Sequence, residues 1–193
     1  MPQWLRSCER QAVAWKNGGG TTREVMVFPQ DATMETFVWR ISMADVTQPG
    51  PFSSFPGITR TLAVVSGCLE LDFQGGATHR LGPSDPVIVF PGDAKVSGAP
   101  IGGPVLDLNV MARNGVVQAA MQRIDGGGHD IACRPGDVTV MVATGPAVVQ
   151  ISQQHRLDLD TWDAFQIDGD ENDLYKVFSA LPFFLIRISV GAA

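Results

Sequence analysis

Apolar residues recur along this chain in short stretches that either alternate with polar ones or run together as β-branched and aromatic blocks, and few windows carry a helical period. Its 21 glycines and 13 prolines punctuate those stretches at short intervals, as turns between strands do. The pattern predicts strands over Thr22–Phe28, Thr36–Val46, Thr61–Ser66, Cys68–Phe73, Val87–Phe90, Val105–Ala112, Val138–Ala143, Ala147–Ser152, Ala164–Ile167 and Phe183–Val190. Strands this short and numerous point to an all-β sandwich or barrel rather than a parallel sheet with crossover helices.

An internal echo refines that reading. Leu81 to Asp93 and Leu159 to Asp170 each run from Leu to an Asp four residues later, through a strand, to Gly-Asp, with one residue fewer in the second copy. Together with Arg134-Pro135-Gly136-Asp137 they suggest a duplicated β-roll of two small fused barrels, with a boundary between Arg113 and Gly128. Gly-Asp turns are common in β proteins, so the echo is a pointer rather than a signature.

The alternation also sorts polar residues by face. In Phe37-Val38-Trp39-Arg40-Ile41-Ser42-Met43-Ala44, period two puts Phe37, Trp39, Ile41 and Met43 on one side and Arg40 and Ser42 on the other. In Val105 to Met111, Asp107 and Asn109 share a side with Val105 and Met111, opposite Leu106, Leu108 and Val110. Such a side could simply meet water, as in many antiparallel sheets. Alternatively Arg40, Ser42, Asp107 and Asn109 form a polar floor inside a barrel mouth, the usual make-up of a ligand site.

Ahead of the first long strand stands Trp15-Lys16-Asn17-Gly18-Gly19-Gly20-Thr21-Thr22-Arg23-Glu24. Three adjacent glycines carry a backbone-entropy cost and bring no side chain to a core, so they mark tight geometry or close approach to the main chain. Arg23 and Glu24, being adjacent in a strand, face opposite ways unless a bulge intervenes. An Arg fork reads a carboxylate with two parallel hydrogen bonds, and Lys16 could add a point charge.

Composition and charge remove several function classes. With 193 residues, 45% of them hydrophobic, the chain can bury a sizeable core. A formal net charge of −6 opposes a broad phosphate-binding surface, so nucleic acid is not an expected partner. The first residues show no apolar signal core, and the apolar stretch Leu181 to Val190 is short and carries Arg187, so a cytoplasmic protein without membrane contact is expected. Cys8, Cys68 and Cys133 are odd in number and widely spaced, which signals neither a disulfide framework nor a zinc site.

Several catalytic motifs fail. Asn17 to Thr21 is followed by no G-K-[ST] and by a strand rather than a helix, which excludes a triphosphate loop. His79, His129 and His155 stand alone, without metal-ligand spacing, and no G-x-S-x-G elbow occurs. Glu24 or Asp107 could act as a base if burial raised its pKa, although a carboxylate beside Arg40 is expected to stay ionised.

Taken in order, Trp15 to Glu24, Trp39 to Val46, Gly50 to Arg60 and Asp107 to Met111 resemble the HutD/Ves family of bacterial cupin-like proteins. The likeness continues more diffusely through the turn after Arg134 and Trp162-Asp163-Ala164-Phe165. It implies a bicupin, a pair of double-stranded β-helix (jelly-roll) barrels, and an accessory or regulatory place in histidine utilisation. The family pattern falls on Lys16, Asn17, Gly18, Gly19, Thr22, Arg23, Glu24, Arg40, Ser42, Asp107 and Asn109. The cupin metal motif is missing, since neither G-x5-H-x-H nor a histidine after Pro91-Gly92-Asp93 is present.

The expectation is therefore an N-terminal barrel over residues 1–112 carrying the pocket and a C-terminal barrel over residues 113–193, with strand exchange between them allowed for. Those eleven residues are the expected ligand set, with no cofactor or metal. The expected ligand is a small anionic metabolite, urocanate or a formyl or formimino glutamate, held by Arg40 with Arg23 or Lys16. Asp107 would accept from an N–H donor, while Asn109, Ser42 and the glycine-run amides fix orientation. The alternative is a metal-free isomerase or hydrolase using Glu24 or Asp107 as base. Cupin association suggests a homodimer by analogy.

Overall fold

The computed structural model describes residues 2–151, 155–168 and 174–190. The predicted strand end at Ser152 and the second Gly-Asp of the echo, Gly169-Asp170, lie outside the described residues. In chain order the strands are β1 (Gln3–Leu5), β2 (Ala12–Ala14), β3 (Gly20–Phe28), β4 (Trp39–Val46), β5 (Gly50–Pro51), β6 (Ile58–Ser66), β7 (Leu69–Phe73), β8 (Thr78–Leu81), β9 (Ile88–Pro91) and β10 (Val96–Pro100). They continue with β11 (Val105–Arg113), β12 (Val117–Ile124), β13 (Gly127–Ala132), β14 (Val138–Ala143), β15 (Ala147–Gln150), β16 (Arg156–Leu159), β17 (Ala164–Asp168), β18 (Leu174–Ser179) and β19 (Phe183–Val190). A single 3-10 turn at Ser7–Glu9 is the helical content among the described residues, and no helix there is long and apolar enough to cross a membrane.

The chain divides into two compact units, one formed by Gln11–Val117 and the other by Met1–Arg10 with Gln118–Ala193. In the Gln11–Val117 unit, a six-stranded sheet ordered β2-β3-β4-β11-β6-β9 accompanies a four-stranded sheet ordered β5-β10-β7-β8. The two faces meet in a core where Val46, Leu62, Val64 and Val105 of the larger sheet pack with Leu69, Leu71, Leu81 and Val96 of the smaller. A second cluster of Phe37, Ile58 and Met111 closes the far end of the larger sheet.

The other unit repeats this plan with sheets ordered β1-β17-β14-β19-β12 and β13-β18-β15-β16. Its core joins Met141, Phe165, Phe183 and Leu185 to Val149, Leu159, Tyr175 and Val177. β1 enters this unit through antiparallel pairing with β17, Gln3 opposite Gln166.

The sequence echo has a shared turn chemistry. Leu81 and Leu159 are both buried at the ends of edge strands, and each is followed by an Asp that accepts from the backbone three residues before it. Gly82 N donates to Asp85 at 2.6 Å, and Asp160 N donates to Asp163 at 3.1 Å.

Candidate functional site

Register in the six-stranded sheet decides which side chains meet. Asn109 of β11 lies opposite Ser42 of β4, Asp107 opposite Ala44, and Met111 opposite Arg40. On the other flank of β11, Asp107 faces Val64, Asn109 faces Leu62 and Met111 faces Arg60 of β6. β3 adds Glu24 opposite Ser42 and Thr22 opposite Ala44. Because Val46, Leu62, Val64 and Val105 share this parity and belong to the inter-sheet core, the polar residues of the same parity also point between the sheets.

The result is a polar band across the inner face, with the inter-sheet core on one side and the Phe37, Ile58 and Met111 cluster on the other. Ser42 and Asp107 are each 3% exposed, and Asn109 and Arg60 each 7%. This face is not a wetted one; of the two alternatives that alternation left open, the interior placement is the one the structure has. The band reaches solvent at Glu24, whose side chain is 46% exposed, next to an Arg40 side chain that is 12% exposed.

Arg40 is committed at this mouth. Its Nε donates to Glu24 Oε2 at 2.8 Å and its NH1 to Ser42 Oγ at 3.3 Å. Arg23 points the other way: it pairs with Asp45, which also accepts from Thr21 Oγ1 at 3.2 Å. The bulge in β3 falls between Glu24 and Met26, after the pair, so it does not disturb the opposed facing of Arg23 and Glu24.

Lys16, Asn17, Gly18 and Gly19 form the turn between β2 and β3, and the run of glycines has a local explanation. Gly18 takes a left-handed φ of +71°, and Gly20 lies so close to β4 that a Cβ there would sit 2.2 Å from Asp45 O. Gly18 N donates to Trp15 O at 3.0 Å and Gly19 N to Asn17 Oδ1 at 3.1 Å. These two amides are spent inside the turn, which corrects the expectation that the run's amides orient a ligand. Thr22 sits on the inner face, where its Oγ1 accepts from Trp15 Nε1 at 2.7 Å.

The interior is electrostatically unbalanced. Asp107 Oδ1, Asn109 Oδ1 and Arg60 Nε are buried without a hydrogen-bond partner among the described residues. Burial pushes the Asp107 carboxyl up to about 7, with Arg60 opposing the rise and Asp45 adding to it. Loss of hydration outweighs the neighbouring guanidinium, the condition under which the sequence allowed Asp107 a raised pKa, while the carboxylate beside Arg40 is that of Glu24. Burial likewise pushes Arg60 down to about 10, against the pull of Asp107 and with a push from Arg40.

Arg60 was missed by sequence reasoning, as were the rings that frame it. Its Cζ lies 4.8 Å from the ring centroid of Phe52 and 5.4 Å from that of Phe90, the position opposite it on β9. The available signal was the alternation Ile58, Arg60, Leu62, Val64, which places one cation in an otherwise apolar row.

The metal of a cupin does not suit this donor set. The inner face of the six-stranded sheet offers oxygens of Glu24, Asp107 and Asn109, but Glu24 already pairs with one of the two guanidiniums there, no imidazole joins them, and among the described residues no group of three or more His, Cys, Asp or Glu is placed to hold a metal ion. Nearby cations would repel a divalent ion.

Comparisons with known proteins now assign the family. A protein in the hutC 3′ region of Pseudomonas putida is 28% identical over 170 residues, covering 88% of each chain. Protein Ves of Citrobacter koseri is 36% identical over 113 residues, 58% of each chain. Among solved structures, HutD from Pseudomonas fluorescens SBW25, in a formate condition, is 28% identical and superposes with a TM-score of 0.84 over 100% of both chains. The HutD family profile matches residues 7–179, and the chain belongs to the HutD family.

Proposed function

We propose that this protein is a bicupin whose Gln11–Val117 barrel binds a small carboxylate metabolite without a metal ion, in an accessory or regulatory role in histidine utilisation. One observation carries the reading: the Nε of a buried guanidinium and two buried carbonyl or carboxyl oxygens, each without a hydrogen-bond partner among the described residues, share one inner face. Natural interiors satisfy nearly all such groups, and a band left unsatisfied in the protein alone suits a ligand that satisfies it. An anionic oxygen would meet the cations, while an N–H or imidazole donor would meet Asp107 and Asn109.

The gene-region context of the Pseudomonas putida relative favours acids of histidine breakdown as candidates, namely urocanate and the formyl or formimino derivatives of glutamate. A thermal-shift screen of these acids on metal-stripped protein tests the reading. A specific ligand at a hundredfold its Kd stabilises by about 2.7 kcal/mol, whereas no shift with any of them would reject it.

A second reading rests on Asp107 alone. A carboxyl pushed up to about 7 is matched to proton transfer at neutral pH, as a general acid or base needs. Following each acid by NMR in the presence of the protein distinguishes the two, because turnover yields product signals and simple binding only broadens or shifts the existing ones.

A further inference from the structure

Arg60 and Arg40 stand level with Met111 on opposite flanks of β11, yet their situations differ. Arg40 spends Nε on a half-exposed carboxylate and NH1 on a hydroxyl at the mouth. Arg60 is buried deeper, its Nε has no partner, and no ion pair neutralises it among the described residues. Phe52 and Phe90 stand against the guanidinium and hold it in place, so what remains for recognition is its N–H edge. A desolvated cation left in that state is costly, and an anion supplied from outside removes the cost.

We propose that Arg60 is the specificity-determining residue of this interior: its Nε–H edge receives the ligand's carboxylate, and Arg40 stays with Glu24 at the mouth. This rests on the reading that the barrel binds a small acid. The unpartnered oxygens of Asp107 and Asn109 complete the selection by accepting from an N–H on the same molecule. The ligand class is thus an acid that carries an N–H donor close to its carboxylate, and plain dicarboxylates are disfavoured because they leave both oxygens unmet.

The test is titration calorimetry with urocanate, N-formylglutamate and glutarate on the wild-type protein and on Arg60→Lys, Arg60→Gln, Arg40→Lys and Arg80→Gln. Arg60→Lys keeps the charge but loses the fork, and should weaken binding of the N–H acids at least tenfold; Arg60→Gln should weaken it at least a hundredfold. Arg40→Lys should cost less than Arg60→Lys, Arg80→Gln should bind within twofold of wild type, and glutarate should bind at least tenfold more weakly than the N–H acids.

A readout on the unaltered protein guards against misfolded variants. The Arg60 Nε–H resonance, identified by its contacts to the Phe52 and Phe90 ring protons, should shift on adding the tightest-binding acid. Binding that leaves this resonance unmoved, or Arg60→Lys binding within twofold of wild type, overturns the role of Arg60 while leaving the carboxylate reading standing. Wild-type protein that binds none of the acids overturns both.

Discussion

Replacing Asp107 with Asn offers a direct measure of how far the interior of the Gln11–Val117 unit is withdrawn from water. The carboxyl is 3% exposed and its pKa rises from 3.8 to about 7. A group whose folded pKa is raised binds its proton more tightly in the native state, so its contribution is complete below the unfolded value and is lost as pH climbs through the folded one. At about 1.4 kcal/mol per pKa unit the loss amounts to about 4 kcal/mol between pH 4 and 8, and water reaching the site would trim it to about 2. The amide of Asp107→Asn has nearly the same shape and cannot ionise. Urea denaturation of both proteins at pH 4.5, 6, 7 and 8.5, followed by far-UV circular dichroism, should therefore show wild type losing about 2–4 kcal/mol relative to the variant as pH rises. Other titrating groups cancel in the difference, and Arg60, at about 10, titrates above the window. A difference flat to within about 0.5 kcal/mol across this range would refute the claim that Asp107 is desolvated.

The same structure makes further predictions elsewhere. Asp163 is pushed up by burial but pulled down more strongly by hydrogen bonds from Ser7 and Asp160 backbone and from Trp4, so its carboxyl lies below the usual range. Its stabilisation is present above about pH 4 and fades as pH falls through the lowered value; Asp163→Asn should cost about 1–3 kcal/mol at pH 7 and less near pH 3 in melting experiments. Gly20→Ala forces a Cβ to 2.2 Å from Asp45 O and should prevent or severely weaken folding, while Gly18→Ala, left-handed in open space, should cost only about 1–2 kcal/mol by urea denaturation. Arg23→Gln breaks a pair whose side chains are 42% and 38% exposed and should change stability by less than about 1 kcal/mol.

The strands legible in the sequence were those whose own composition dictates them. β14, Val138–Ala143, is apolar at every position but Thr139 because both of its faces are buried, and its bounds follow from the run itself. The ones not legible depend on neighbours. β10 reads Val-Ser-Gly-Ala-Pro, with Gly98 kept small by Phe52 at 3.0 Å from where a Cβ would be; nothing local marks it as paired between β5 and β7. β18 alternates correctly, with Tyr175 and Val177 buried, but Leu174 and Phe178 on its outer side are half exposed and blur the period. β1 is three residues long and owes its existence to β17, far along the chain.

For the site, alternation could say which residues share a face but not how deep that face lies. Arg40, Ser42, Asp107 and Asn109 were grouped correctly by period two, and Arg23 and Glu24 were correctly opposed, because both inferences need only the pleat. Depth comes from the second sheet, and with it the balance of charge. The predicted strand Thr61–Ser66 stops short of Arg60, whereas β6 extends back to Ile58 and carries that cation inward. Once Arg60 is placed, the raised carboxyl of Asp107 and the push between Arg60 and Arg40 become consequences of one geometry: Arg40 is paired with Glu24 at the mouth, while Arg60 and the reluctant acid Asp107 lie enclosed by apolar clusters. Leu or Val in that row, as at its neighbours Leu62 and Val64, would bury no charge, and under the proposed reading a negatively charged occupant is what the cation there is for.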